Sequence, residues 1–195
     1  MQNNIKIKIG NVADFEQLAN LNYENTENKV FSLSKTEYEI KLSEEELEQP
    51  LENKSDGYQN EIKDVMMQML TRDGVIPLVA RLDNELAGYL MAFSSISPLG
   101  RVIILFGVLV ASKYTGCGLG KALVEELKNI GSKDSNYYGI QAEMATDKYS
   151  ASKLLLISGF VFSGAELYIY SNNEPSKFSK ECIHFYYKFW LYNSN

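Results

Sequence analysis

Apolar and polar positions change their period several times along this chain, and each change marks an element. Ile5 to Ile9 alternates apolar and basic residues, which predicts a first strand with one solvated face or edge. Asp14 to Asn22 places Phe15, Leu18, Ala19 and Leu21 on one side of a short amphipathic helix. From Leu33 to Leu70 the chain is polar, strongly charged and without β-branched runs, and helix is the expected state. Within it Val65, Met66, Met69 and Leu70 form an apolar stripe expected to face the core, and Glu44, Glu45, Glu46 and Glu48 are expected on a solvated helix face. Leu78 to Leu82 and Leu86 to Ser94 are strand-like runs around Asp83-Asn84-Glu85, a hairpin signal.

The second half is more sharply punctuated. Val102 to Val110 is almost wholly apolar and rich in β-branched residues, as expected of a central strand covered on both faces. Leu119, Ala122, Leu123, Leu127 and Ile130 then recur at helical spacing. Tyr138 to Ala145 reads as a strand and about Lys148 to Ser158 as a helix, with Gly159 at the place of a terminating glycine. Strands from Val161 to Tyr170 and from Ile183 to Leu191 follow, separated by a loop at Ser171 to Ser179. Alternation of this kind predicts one mixed α/β domain over residues 1–195.

Between the apolar strand and the amphipathic helix lies a turn with glycine at 116, 118 and 120. Three alternating glycines remove the Cβ atoms that keep a ligand from the backbone, and a following helix offers unpaired N–H groups and the positive end of its dipole. That combination favours a phosphate. A dinucleotide fingerprint starting at Gly116 needs glycine at 121, where the chain has Lys121. A triphosphate loop ending at Gly120-Lys121 needs glycine at 115 and Ser or Thr at 122, where Thr115 and Ala122 stand.

The stretch Val110-Ala111-Ser112-Lys113-Tyr114-Thr115-Gly116-Cys117-Gly118-Leu119-Gly120-Lys121-Ala122-Leu123 resembles the acyl-CoA-binding motif of the GNAT acetyltransferases, with Ser112 where the pattern has proline and Thr115 where it has arginine or glutamine. The resemblance implies a GNAT-like domain with a central mixed, mostly antiparallel twisted sheet of about six to seven strands and about four helices. It implies acetyl-CoA as co-substrate. Val108, Leu109 and Val110 would pair with the pantetheine arm, and Gly116, Cys117, Gly118, Leu119, Gly120 and Lys121 would hold the pyrophosphate.

Downstream, Ala151 and Gly159-Phe160 keep the same pattern, whereas Lys148 and Leu155 replace its asparagine and tyrosine. That tyrosine is the general acid in many members, so proton delivery to the leaving thiolate falls to water or to Tyr149 or Ser152. Glu143 is the candidate general base for the attacking amine, through water, and the N–H of Val110 the candidate oxyanion donor. Tyr38, Glu45 and Tyr58 lie where the resemblance implies a cover over the acceptor. The implied activity is transfer of acetyl to a primary amine of a small molecule or a peptide, by direct attack in a ternary complex. The alternative is a non-catalytic acyl-CoA-binding sensor or interaction module.

Composition narrows the partners. A net charge of −6 speaks against broad nucleic-acid binding and favours a cationic acceptor, an amine of unknown identity. No signal-like segment or membrane-length apolar run is evident, and the two cysteines, Cys117 and Cys182, make no disulfide framework, so the expected location is cytoplasmic, with no membrane partner. One histidine, His184, and no clustered cysteines speak against a metal site, and His184 is read as a hydrogen-bonded structural residue. A homodimer is left open.

Overall fold

The computed structural model describes residues 4–35, 39–53, 58–97, 100–167 and 181–189. In chain order these form β1 (Ile5–Ile9), α1 (Val12–Leu18), β2 (Asn25–Lys35), β3 (Ile40–Asn53), α2 (Tyr58–Leu70), β4 (Val75–Leu82), β5 (Glu85–Ser97) and β6 (Gly100–Val110). A single 3-10 turn (Ser112–Tyr114) leads to α3 (Leu119–Ser132), β7 (Tyr137–Ala145), α4 (Tyr149–Ile157), β8 (Val161–Leu167) and β9 (Glu181–Lys188). The fold class is α/β, with seven strands in the main sheet and four α-helices among the described residues. The expected loop at 171–179 lies outside them.

The chain forms two compact units. The first comprises Met1–Asn25, Lys54–Ile140 and Lys188–Asn195. Its strand order is β1-β4-β5-β6-β7, with β1, β4, β5 and β6 antiparallel in succession. The hairpin at Asp83-Asn84 forms as expected, with φ of 49° and 74° at its two central residues, the left-handed pair that matches strand twist. Phe15 and Leu18 of α1, Met66 and Met69 of α2, and Val79, Tyr89 and Met91 of the strands make one core cluster. Leu119, Leu123, Val124 and Leu127 of α3 are also buried, and α3 packs on β4, β5 and β6.

α1 begins two residues before the expected Asp14 and ends at Leu18, because Asn11 caps it. The Asn11 side chain accepts the Asp14 N–H at 3.0 Å, and the Asp14 carboxylate accepts the Asn11 N–H at 3.2 Å. Val65, expected in the core, is 42% exposed, so the stripe of α2 narrows to its methionines and Leu70.

The second unit comprises Thr26–Asn53 and Gln141–Tyr187, with strand order β7-β9-β8 and a separate pair, β2-β3. Here the expectation of helix from Leu33 to Leu70 fails before α2, since Leu33–Lys35 lie in β2 and Ile40–Asn53 in β3, and it holds over Tyr58–Leu70. Pairing decides it: Ser32 and Ser43 share a hydrogen bond at 2.8 Å, while Glu46 meets Lys29 at 3.3 Å and Glu44 meets Lys153 at 2.5 Å. Those partners are remote in sequence, so a helix-prone, glutamate-rich run becomes a strand. α4 ends as expected at Gly159, whose φ is +87°, with Phe160 N–H returning to the Leu155 carbonyl at 3.1 Å.

Candidate active site

In the first unit the site is assembled at the end of β6. The register with β5 passes from Ala92↔Leu105 to Met91↔Gly107, which leaves Phe106 as the extra residue of a β-bulge. Phe106 is consequently 52% exposed, a correction to the expectation that this strand is covered on both faces. Beyond the bulge Val108, Leu109 and Val110 are half-buried opposite Leu90, Tyr89 and Gly88.

Ala111 N–H then bonds the Ala87 carbonyl at 2.8 Å, and the 3-10 turn carries the chain into the glycines. Gly116 and Gly118 have φ of +81° and +83°, and a Cβ built at either meets nothing within 4 Å. Left-handed backbone with open space above it is what a bound diphosphate requires. Gly118 is the N-cap of α3, no side chain caps the helix, and its first closing bond runs from Ala122 N–H to the Gly118 carbonyl at 3.0 Å. The N–H groups of Leu119, Gly120 and Lys121 therefore lack acceptors within the helix, with no acidic residue in that turn to compete.

A side-chain brace precedes the glycines. Glu85 accepts hydrogen bonds from the Tyr114 hydroxyl and, at 3.1 Å, from Lys113, whose ammonium also lies 4.5 Å from the Tyr114 ring centre. Tyr114 first and Lys113 second hold the Glu85 carboxyl below its ordinary range. Lys113 is thus already matched by an anion. Lys121 is exposed and, among the described residues, in no ion pair.

The second unit holds the candidate acid and base. Glu143 on β7 is 60% exposed at its side chain, with Oε1 3.5 Å from His184 Nδ1 on β9. His184 Nε2 lies 4.0 Å from Glu166 Oε1 on β8, so three adjacent strands contribute to one Glu-His-Glu row. Tyr149, the first residue of α4, stacks on Phe31 with ring centres 5.1 Å apart, and its hydroxyl donates to Glu44 at 2.9 Å. Partial burial first, and then the Glu44 hydrogen bond, raise its pKa. Leu155 and Ser152 are fully buried. Of the expected acceptor residues, Glu45 is exposed on β3, Tyr58 opens α2 and Tyr38 lies outside the described residues.

Residues 32–160, more than half of the chain, match the profile described as Acetyltransferase (GNAT) family. The chain belongs to this family. It is a GNAT-type acetyltransferase, of a family that uses acetyl-CoA. No curated protein sequence matches it. Among solved structures it is similar to nourseothricin acetyltransferase, at 18% identity and a TM-score of 0.72 over 94% of this chain and 98% of that one. A putative streptothricin acetyltransferase from Bacillus anthracis, in complex with acetyl coenzyme A, has 19% identity and a TM-score of 0.75 over 97% and 99%. A dodecameric spermidine N-acetyltransferase from Vibrio cholerae has 16% identity and a TM-score of 0.61 over 98% and 98%.

The glycine turn was legible in the sequence, but several long-range polar contacts within each unit were not. Ser112 bonds Asn22 and Glu24, Glu27 bonds Ser150, and Glu44 bonds Tyr149, at separations of 88 to 123 residues. Only the departure from proline at 112 and the lack of an acceptor side chain at Lys148 mark these places beforehand.

Proposed function

We propose that this protein transfers acetyl from acetyl-CoA to a primary amine by direct attack in a ternary complex, residues 1–195 acting as one acyltransferase-like domain. The observation that carries the reading is the open, uncapped glycine turn at the start of α3, set behind a bulged strand. Free N–H groups and the helix dipole hold the pyrophosphate, and exposed Lys121 adds charge at its rim. The backbone of Val108, Leu109 and Val110 orients the pantetheine arm. When bound, acetyl-CoA supplies an activated acyl carbon.

An ammonium has no lone pair, so the acceptor must first lose a proton. Glu143 is assigned as the base, acting through water. The amine nitrogen then bonds to the thioester carbon and gives up its remaining excess proton to water, while the negative charge on oxygen is met by the Val110 N–H. Collapse breaks the C–S bond, and the thiolate takes a proton from water or from Tyr149. The reading requires no metal.

The acceptor is assigned as a cationic amine. Support comes from the net charge of −6 and from Glu45 and Glu48, exposed on β3. The acceptors named for the similar structures, nourseothricin, streptothricin and spermidine, are the first to try. A cytoplasmic location accords with the free thiols of Cys117 and Cys182.

The test is calorimetric titration with acetyl-CoA, with ATP and NAD as controls, followed by thiol release over a panel of amines containing those acceptors and acetylatable peptides. Binding with release on one small cationic amine is expected. Release on peptides alone would replace the acceptor assignment, and no acetyl-CoA binding would overturn the reading.

A further inference from the structure

Ser112 occupies the position where the motif has proline, and it uses both donors that proline lacks. Its backbone N–H donates to the Asn22 carbonyl at 2.8 Å, and its hydroxyl donates to the Glu24 carbonyl at 2.6 Å, with the Asn22 carbonyl at 3.1 Å and its side-chain oxygen at 3.4 Å. The segment thus held is itself ordered. Glu24 N–H bonds the Asn22 side-chain oxygen at 2.8 Å, and the Asn22 amide donates to the Glu24 carboxylate at 3.1 Å.

Between them, Tyr23 points the other way. Its hydroxyl donates to the Leu18 carbonyl at 2.8 Å, and its ring meets Tyr89 edge-on at 6.0 Å, within the cluster against which Leu109 packs. Asn22-Tyr23-Glu24 is therefore fastened twice: by Tyr23 into the core and by its backbone to the residue two beyond Val110. Glu24 stands exposed there, its carboxylate aimed by Asn22.

We propose that Ser112 is a positioning residue that clamps the Asn22–Glu24 segment to the end of β6, fixing the Glu24 carboxylate as a contact for the cationic acceptor beside the thioester. The inference rests on the acetyl-CoA reading above, which puts the thioester at Val108 to Val110. A proline at 112 would stiffen the turn but leave the Asn22 and Glu24 carbonyls without these donors. This chain exchanges that stiffness for a tie between the cofactor strand and the segment after α1.

The experiment compares Ser112→Ala, Ser112→Thr and Ser112→Pro with the parent protein. Amide exchange over residues 20–25 is read without ligand, along with acetyl-CoA affinity and the KM and kcat for the amine found in the panel. Ser112→Ala should speed exchange and raise the amine KM about five-fold, the equivalent of one net hydrogen bond, with acetyl-CoA affinity nearly unmoved. Ser112→Pro should do at least as much, and Ser112→Thr, which keeps both donors, should restore parental values. Glu24→Gln should raise the amine KM without changing exchange.

Unaltered exchange and KM in Ser112→Ala and Ser112→Pro would overturn the proposal, as would equal loss in Ser112→Thr. A parent protein that does not bind acetyl-CoA would bring down the transferase reading and with it the acceptor role of Glu24. The exchange measurements would then decide the clamp alone.

Discussion

Glu27 on β2 caps α4 through Ser150: one carboxylate oxygen accepts the Ser150 N–H at 3.1 Å and the other its hydroxyl at 2.7 Å. The helix's own N-cap, Lys148, makes no side-chain bond to the first turn, so a remote and buried carboxylate takes the place of a local cap. Glu27→Ala should destabilise the protein by about 2 kcal/mol, combining loss of a cap with loss of the hydrogen bond from the Ser150 hydroxyl. Glu27→Gln, which keeps one acceptor, should cost about half as much by the same reasoning. Urea denaturation measures both, and faster amide exchange confined to the start of α4 should accompany them.

Gly118 has room for a Cβ but not the backbone for one, since its φ is +83°. Gly118→Ala should therefore cost about 1 kcal/mol in stability while weakening acetyl-CoA binding at least tenfold, because the methyl group fills the open space in which the diphosphate is proposed to sit. Titration calorimetry beside thermal denaturation separates the two effects. Full affinity in a folded Gly118→Ala protein would remove the turn from the cofactor site.

Asp14, nearly buried, is held by Lys8 at 2.8 Å, by the Asn11 N–H and by Arg81 at 3.1 Å. Burial is the largest influence and pushes its pKa up, but these three hydrogen bonds together outweigh it and leave the carboxyl below its ordinary value. A carboxyl whose folded pKa lies below its unfolded one stabilises the fold above the unfolded pKa, near about 4, and loses that contribution as pH falls through the folded value. Asp14→Asn should be about 2 kcal/mol less stable than the parent at neutral pH, with the gap closing as the medium is acidified below about pH 4. Denaturant midpoints across that range check it, and a gap independent of pH would refute the ionic account.

Glu143 and Tyr149 make separable kinetic predictions. Glu143→Gln should lower kcat about a hundredfold with acetyl-CoA affinity unchanged, the ordinary scale for a lost general base. Tyr149→Phe keeps the ring on Phe31 and removes only the proton now given to Glu44. Burial and Glu44 raise this phenol's pKa, so it keeps its proton at neutral pH, and its removal should lower kcat about tenfold if it supplies the thiolate. Unchanged turnover in Tyr149→Phe would assign that proton to water, and unchanged turnover in Glu143→Gln would end its role as base.

Residues 102–132 were largely legible because their signals are local: a β-branched apolar run, alternating glycines and a helical stripe each constrain their own few residues. The same holds for Asp83-Asn84 and Gly159, where backbone sign alone selects the residue type. The bulge at Phe106 escaped this reading. Its cause is a register shift against β5, and the apolar string of β6 is the same with or without it.

By itself, the sequence determined the glycine turn, the strand before it and the helix after it, since short-range sterics and periodicity act within one stretch of chain. Tertiary structure alone decided that Ile40–Asn53 is a strand, that Glu27 caps α4 and that Ser112 grips Asn22 and Glu24. Those outcomes depend on hydrogen-bond partners many residues away, and the free energy of such pairing exceeds the few tenths of a kcal/mol per residue by which local propensity prefers one backbone state to another.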